Sequence, residues 1–100
     1  MATVSKALAR TAAATSSTTL YTVPSATTTV VTEIMVVNTT ATQGTFTLAL
    51  DGVSIATAVI ILGNDSTVIP LKQVLATTKT ITGLASATSI NFHISGVEIS

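Results

Sequence analysis

Apolar and hydroxyl-bearing side chains alternate with a period of two over most of this chain. Residues 45–50 show it most cleanly: Phe46, Leu48 and Leu50 alternate with Thr45, Thr47 and Ala49, the spacing of a strand with one buried face. Asp51-Gly52 follows, then a second apolar run over 53–62. A two-residue Asp-Gly loop between such runs predicts a tight antiparallel hairpin, because both positions accept φ > 0. Upstream, 20–23 and 28–38 flank the breaker Pro24-Ser25-Ala26 and predict strand, turn and long strand. Strict alternation puts Val30, Ile34 and Val36 on one face of that long strand and Val31, Met35 and Val37 on the other, with Glu33 its only charge. Both faces therefore need cover, from a second sheet or from a partner.

Gly63-Asn64-Asp65 predicts a turn into a strand over 66–69, which Pro70 should end because it has no N–H for a ladder. Leu71 and Val74 are at helical spacing, allowing one short turn over 71–75 before strand-forming residues return at 78–82. The last strand, 89–99, turns Ile90, Phe92 and Ile94 inward; Gly96 takes the next inward position, and the parity of Val97 and Ile99 predicts a bulge there. Residues 1–17 show no alternation and read as an arm, in which Val4 and Leu8, four apart, allow a short helix over 5–14. The expected architecture is all-β: an antiparallel β-sandwich or jelly-roll-like domain of about seven strands over 18–100, with an extended N-terminal arm over 1–17.

Composition turns attention to association. The 100 residues include 22 Thr and 10 Ser, 47% are apolar, only 8% are charged, and the net charge is zero. An ordinary soluble domain is about a quarter charged, so copies of this chain have little repulsion to hold them apart. Hydroxyls without clustered Lys and Arg give no electrostatic route to nucleic acid. Cysteine is absent, so packing rather than disulfides or thiolate metal sites must hold the fold. The longest apolar run is about half of the ~20 residues that span a bilayer as a helix, and no apolar stretch of secretory length follows Lys6 and Arg10. Neither a membrane nor a cleaved leader is expected.

Lys6 and Arg10 precede the first acidic residue, Glu33, while Glu33, Asp51, Asp65 and Glu98 outnumber Lys72 and Lys79 afterwards. A mildly basic arm beside a mildly acidic body suggests an arm lying on a neighbour. Val4, Lys6, Leu8 and Arg10 of the arm, with Val31, Met35 and Val37 of the long strand, are the candidate interface residues.

Candidate chemistry is sparse. His93 is the only imidazole and shares a strand face with Asn91 and Ser95. A Ser-His-Asp set with Ser95 and Asp51 or Asp65 lacks the G-x-S-x-G elbow. Glu33 and Glu98 have no spacing that pairs them for acid–base work. Asn64-Asp65-Ser66 lacks the repeated acids of a calcium loop, and the glycines form no phosphate cradle. The Thr-x-Thr pairs at 45–47 and 80–82 are ordinary strand alternation. No catalytic residue, cofactor or metal is expected, and the chain is read as a non-enzyme.

The segments Leu20-Tyr21-Thr22-Val23-Pro24, 28–33, Val37-Asn38-Thr39-Thr40, 45–52 and 71–82 together resemble small virion proteins of tailed bacteriophages, in texture and order across most of 18–99. The resemblance implies a virion structural protein that packs against itself, as a homo-oligomer such as a trimer, and against the major capsid protein or other virion proteins. A decoration or cement protein on the capsid exterior is the favoured placement. A tail, neck or host-contacting appendage subunit is the alternative, and a cell-surface adhesion module a third.

Overall fold

Eight antiparallel strands carry the chain in the computed structural model, which describes residues 2–100. They are β1 (Thr3–Ala12), β2 (Thr18–Thr22), β3 (Thr28–Asn38), β4 (Gly44–Leu50), β5 (Val53–Ile61), β6 (Ser66–Leu75), β7 (Thr80–Ala85) and β8 (Ile90–Ile99). Two four-stranded sheets, ordered β1-β8-β3-β6 and β2-β7-β4-β5, pack as a sandwich. Only β4 and β5 are a hairpin within one sheet; every other connection crosses to the opposite sheet. The expected turn joins that hairpin, with Asp51 at φ 51° and Gly52 at φ 75°, backbone angles that suit the right-handed twist of the flanking strands.

Alternation locates the core correctly in β4 and β8. Phe46, Leu48 and Leu50 of one sheet meet Ile90, Phe92 and Ile94 of the other, all buried. The Phe46 and Phe92 rings contact edge to face, with centroids 6.4 Å apart and planes at 74°, a geometry that places the positive ring edge on the negative face. Asn38 is a buried polar residue that ends β3. Its Nδ2 donates to the carbonyls of Thr42 (2.8 Å) and Ile61 (3.4 Å), and its Oδ1 accepts from the Thr40 amide and hydroxyl.

Where alternation misleads, a bulge is the cause. β3 carries an extra residue between Val31 and Glu33, and its inward parity switches there. Val31, Ile34 and Val36 are fully buried, while Val30, Met35 and Val37 are half-buried on the outside. Val31 is thus a core residue and not part of a second face. The extra residue, Thr32, donates its hydroxyl to the Ser95 carbonyl at 3.2 Å.

Of the residues 1–17 expected to form an arm, Thr3–Ala12 belong to the sandwich as β1, and Met1 lies outside the described residues. β1 pairs with β8 along its whole length, and no helix forms over 5–14. Local preference of an Ala-containing segment yields here to a complete hydrogen-bonded edge. β1 also bulges, between Ala7 and Ala9, opposite Ile94-Ser95, one step along β8 from the Ser95-Gly96 pair that faces the β3 bulge. The irregularity expected at Gly96 therefore lies on both neighbours, while β8 alternates through. A Cβ on Gly96 would stand 2.5 Å from the Val30 carbonyl oxygen and 2.8 Å from Leu8 Cδ1. Leu8 fills the space that glycine leaves, which buries it in the core. The first and last strands are thus neighbours, and Ala2 and Ser100 exchange two backbone hydrogen bonds of 2.9 Å.

Two further expectations change. Pro70 does not end a strand, and 71–75 forms no helical turn: β6 runs through both. Proline is tolerated because β6 is an edge and Pro70, opposite Glu33, sits at a register irregularity. The strand count rises from about seven to eight with the addition of β1.

Candidate interaction surface

The seven candidate interface residues are dispersed by the fold. Leu8 and Val31 are buried. Met35 and Val37 are half-buried on the outer face of the β1-β8-β3-β6 sheet. Val4 is 51% exposed near the chain's start. Lys6 reaches Glu98 at 3.4 Å. The register sets Arg10, His93, Met35 and Val68 in one row across the four strands, so the structure places Arg10, Met35 and Val37 on one outer face.

The Lys6–Glu98 pair is one corner of a network between the sheets. The Tyr21 hydroxyl, from β2, donates to Glu98 Oε2 at 2.5 Å and lies 2.8 Å from Thr29 Oγ1 on β3. The bond from Tyr21 holds the Glu98 carboxyl below the usual carboxylate range against the opposing effect of desolvation, with a further contribution from Lys6. Burial raises the Tyr21 phenol above its ordinary value, and Glu98 adds to the rise. Lys6, its side chain 49% exposed, leans onto Glu98 at the edge of this network.

Lys79 and Asp51 form a second ion pair at 3.7 Å, both half-exposed. Arg10, Lys72, Glu33 and Asp65 have no ion-pair partner among the described residues. Arg10, Thr11, Ala12, Asn91 and His93 line a shallow concavity of about 200 Å³ on the outer face of β1 and β8. Across the same sheet, Asp65 stands at the head of β6 in the Asn64 turn (φ 56°). It is fixed there by its carbonyl, which accepts from the Asn38 amide, and by Oδ1, which accepts from the Ser66 amide at 2.8 Å.

These positions do not assemble a catalytic set. Asp51 lies at the β4–β5 turn of the other sheet, paired with Lys79. Glu33 is exposed, paired in register with Ser95, whereas Glu98 points inward to Tyr21. Among the described residues no three His, Asp or Glu side chains cluster as metal ligands would.

The surface that sequence reasoning missed is carried by β5 and β6, an edge strand of each sheet. Val53 (68% exposed), Val74 (66%), Ile60 (61%), Leu62 (57%) and Val68 (50%) lie there, together with Ile55 and Val59. β5 is bulged around Ala58 (φ 46°), whose amide donates to Thr47 Oγ1 at 3.0 Å. This breaks the alternation, so apolar side chains emerge on an edge. The available signal was Val59-Ile60-Ile61-Leu62, four large apolar residues in succession: a strand covered on one face only has room for half of them.

No protein-family model and no curated protein matches the chain. Among solved structures, the chain is similar to the Drosophila NLP-core, described as giving insight into pentamer formation and histone binding, at 16% identity and a TM-score of 0.57 over 98% of each chain. It also matches two structures of a pentameric capsid protein isolated from metagenomic phage sequences. One is 13% identical with a TM-score of 0.39 over 96% of this chain and 59% of that one; the other is 14% identical with a TM-score of 0.38 over 96% and 60%. The Drosophila likeness, over 98% of this chain, is one of fold.

Proposed function

We propose that this chain is a non-catalytic structural subunit of a phage particle that works by packing against copies of itself, with capsid decoration the favoured placement. The apolar β5–β6 side carries the reading. Seven large aliphatic residues stand exposed along one flank of a domain with four acids and four bases in all, and apolar patches of that extent mark interaction sites on soluble proteins. The strand orders β1-β8-β3-β6 and β2-β7-β4-β5 support a jelly-roll-like reading of the sandwich, an architecture recurrent in viral capsid and lectin domains. Architecture alone does not fix function; the virion assignment draws on the resemblance of segments 20–24, 28–33, 37–40, 45–52 and 71–82 to small phage virion proteins.

The pentamer formation described for the Drosophila neighbour supports a homo-oligomer here, in a closed ring not restricted to three copies. Its histone binding is described for that protein alone; here two of the four acids, Glu98 and Asp51, face Lys6 and Lys79.

Gold-labelled antibody raised against the chain, applied to particles released by the cells that make it, tests the placement. Labelling of heads is the expected result. Labelling of tails moves the protein to the alternative placement, and particles without label refute the virion reading.

A further inference from the structure

The two long sides of the sandwich differ in kind. One, at β5 and β6, is apolar. The other, at β1 and β2, carries Arg10 and the concavity formed with Asn91 and His93. β1 and β6 are the opposite edges of one sheet, and both edges have unpaired backbone groups, a template for another strand. In that sheet β1 runs antiparallel to β8, β8 to β3 and β3 to β6. A second copy rotated about an axis along the strands therefore presents its β1 antiparallel to the first copy's β6, the slightly more stable sense of strand pairing.

The level along the strands also matches. One row joins Arg10, His93, Met35 and Val68, and the next row on the same face, two residues along, joins Ala12, Asn91, Val37 and Ser66. Asp65 directly precedes Ser66, so it stands at the height of the concavity on the opposite edge. Arg10 and Asp65 are both exposed, are of opposite charge, and lack an ion-pair partner among the described residues.

We infer that copies of this chain associate head to tail, the β5–β6 side of one against the β1 side of the next, with Asp65 of each copy seated in the concavity lined by Arg10, Asn91 and His93 of its neighbour. The apolar area offered by the exposed β5–β6 side chains is on the order of 600 Å², comparable with the ~800 Å² that each partner contributes to a stable interface. A two-fold packing of the apolar side on itself would leave Arg10 and its concavity facing solvent. Head-to-tail contacts engage both, and they close into a ring when the rotation per copy divides a full turn. The inference rests on the self-association of the proposed function and names its geometry.

Sedimentation velocity on the parent chain and on Arg10→Glu, Asp65→Lys and the double variant tests it, with circular dichroism to verify folding of each. The parent should form an assembly of more than two copies. Each single reversal should raise the concentration of half-assembly by at least about tenfold, and the double variant should return to within about threefold of the parent. An assembly larger than a dimer that ignores both reversals overturns this interface and leaves the structural-subunit reading standing. A parent that is strictly dimeric overturns the head-to-tail geometry, and one that stays monomeric at about 100 µM, where a contact of micromolar Kd would be largely formed, overturns both.

Discussion

Replacing Tyr21 by phenylalanine keeps the ring and its burial and removes a single oxygen. That oxygen donates to Glu98 at 2.5 Å and lies 2.8 Å from the buried Thr29 hydroxyl. A hydrogen bond to a charged group contributes roughly 1.5–3 kcal/mol net, and a neutral one roughly 0.5–1.5. Because the two share one hydroxyl and Lys6 still faces Glu98, the loss should be about 2–3 kcal/mol, a large share of the ~5–15 kcal/mol expected for a whole domain. In urea, where a small domain has a slope of about 1–3 kcal/mol/M, the midpoint should fall by about 0.7–3 M with the slope unchanged. The pH dependence gives the signature. Glu98 has its carboxyl lowered in the folded state, chiefly by Tyr21, so its contribution is present above the unfolded carboxylate value and is lost as pH falls through the folded one. The gap between parent and variant should be constant from about pH 6 to 8 and narrow below about pH 4.5. Tyr21, raised in the folded state, contributes fully below its unfolded value and loses that contribution as pH rises through the folded one, a loss that the phenylalanine variant cannot show. A variant within about 0.5 kcal/mol of the parent at pH 7 would refute the network as a tie between the sheets.

Other substitutions probe other joints of the fold. Gly96→Ala should cost at least about 1–3 kcal/mol in thermal or urea unfolding, since the new methyl meets the Val30 backbone and Leu8 together. Leu8→Ala should cost about 2–5 kcal/mol by the same measurement; a neutral result would mean that β1 is not docked. Asn38→Ala should lose about 1–3 kcal/mol by leaving the Thr42 and Ile61 carbonyls without their donor, and amide exchange should show loosening confined to residues 38–44 and the end of β5.

Much of the fold was legible because alternation reports burial directly wherever a strand is regular. Phe46, Leu48 and Leu50, the Asp51-Gly52 turn, and Ile90, Phe92 and Ile94 all follow from it. A bulge inserts a residue without any compositional mark, and its signal lies in the partner strand. Gly96 on β8 was visible, but the residues that bulged were Leu8 and Thr32, far away in sequence. That one fact moved Val31 and Leu8 from the expected interface into the core. β1 was unreadable for a related reason: its alternation is thin and broken, and only the open edge of β8 makes a strand of it. The β5–β6 side was missed because an apolar run reports that residues are apolar, and not whether the fold has an opposing layer to cover them.

The adjacency of β1 and β8 also sets the order in which the molecule can form. Thr3 pairs with Ile99, so one sheet joins the earliest and the latest residues described. A nascent chain can close the β4–β5 hairpin early, but Leu8 and Val31 cannot meet Gly96 until that residue has been made. Folding dominated by such distant pairings is slow, in the millisecond-to-second range, and leaves the edge of β3 and the apolar flank of β5 and β6 open in the meantime. Neighbouring chains synthesised close together would meet during that interval, which favours assembly at the site of synthesis and makes premature association the chief hazard at high expression.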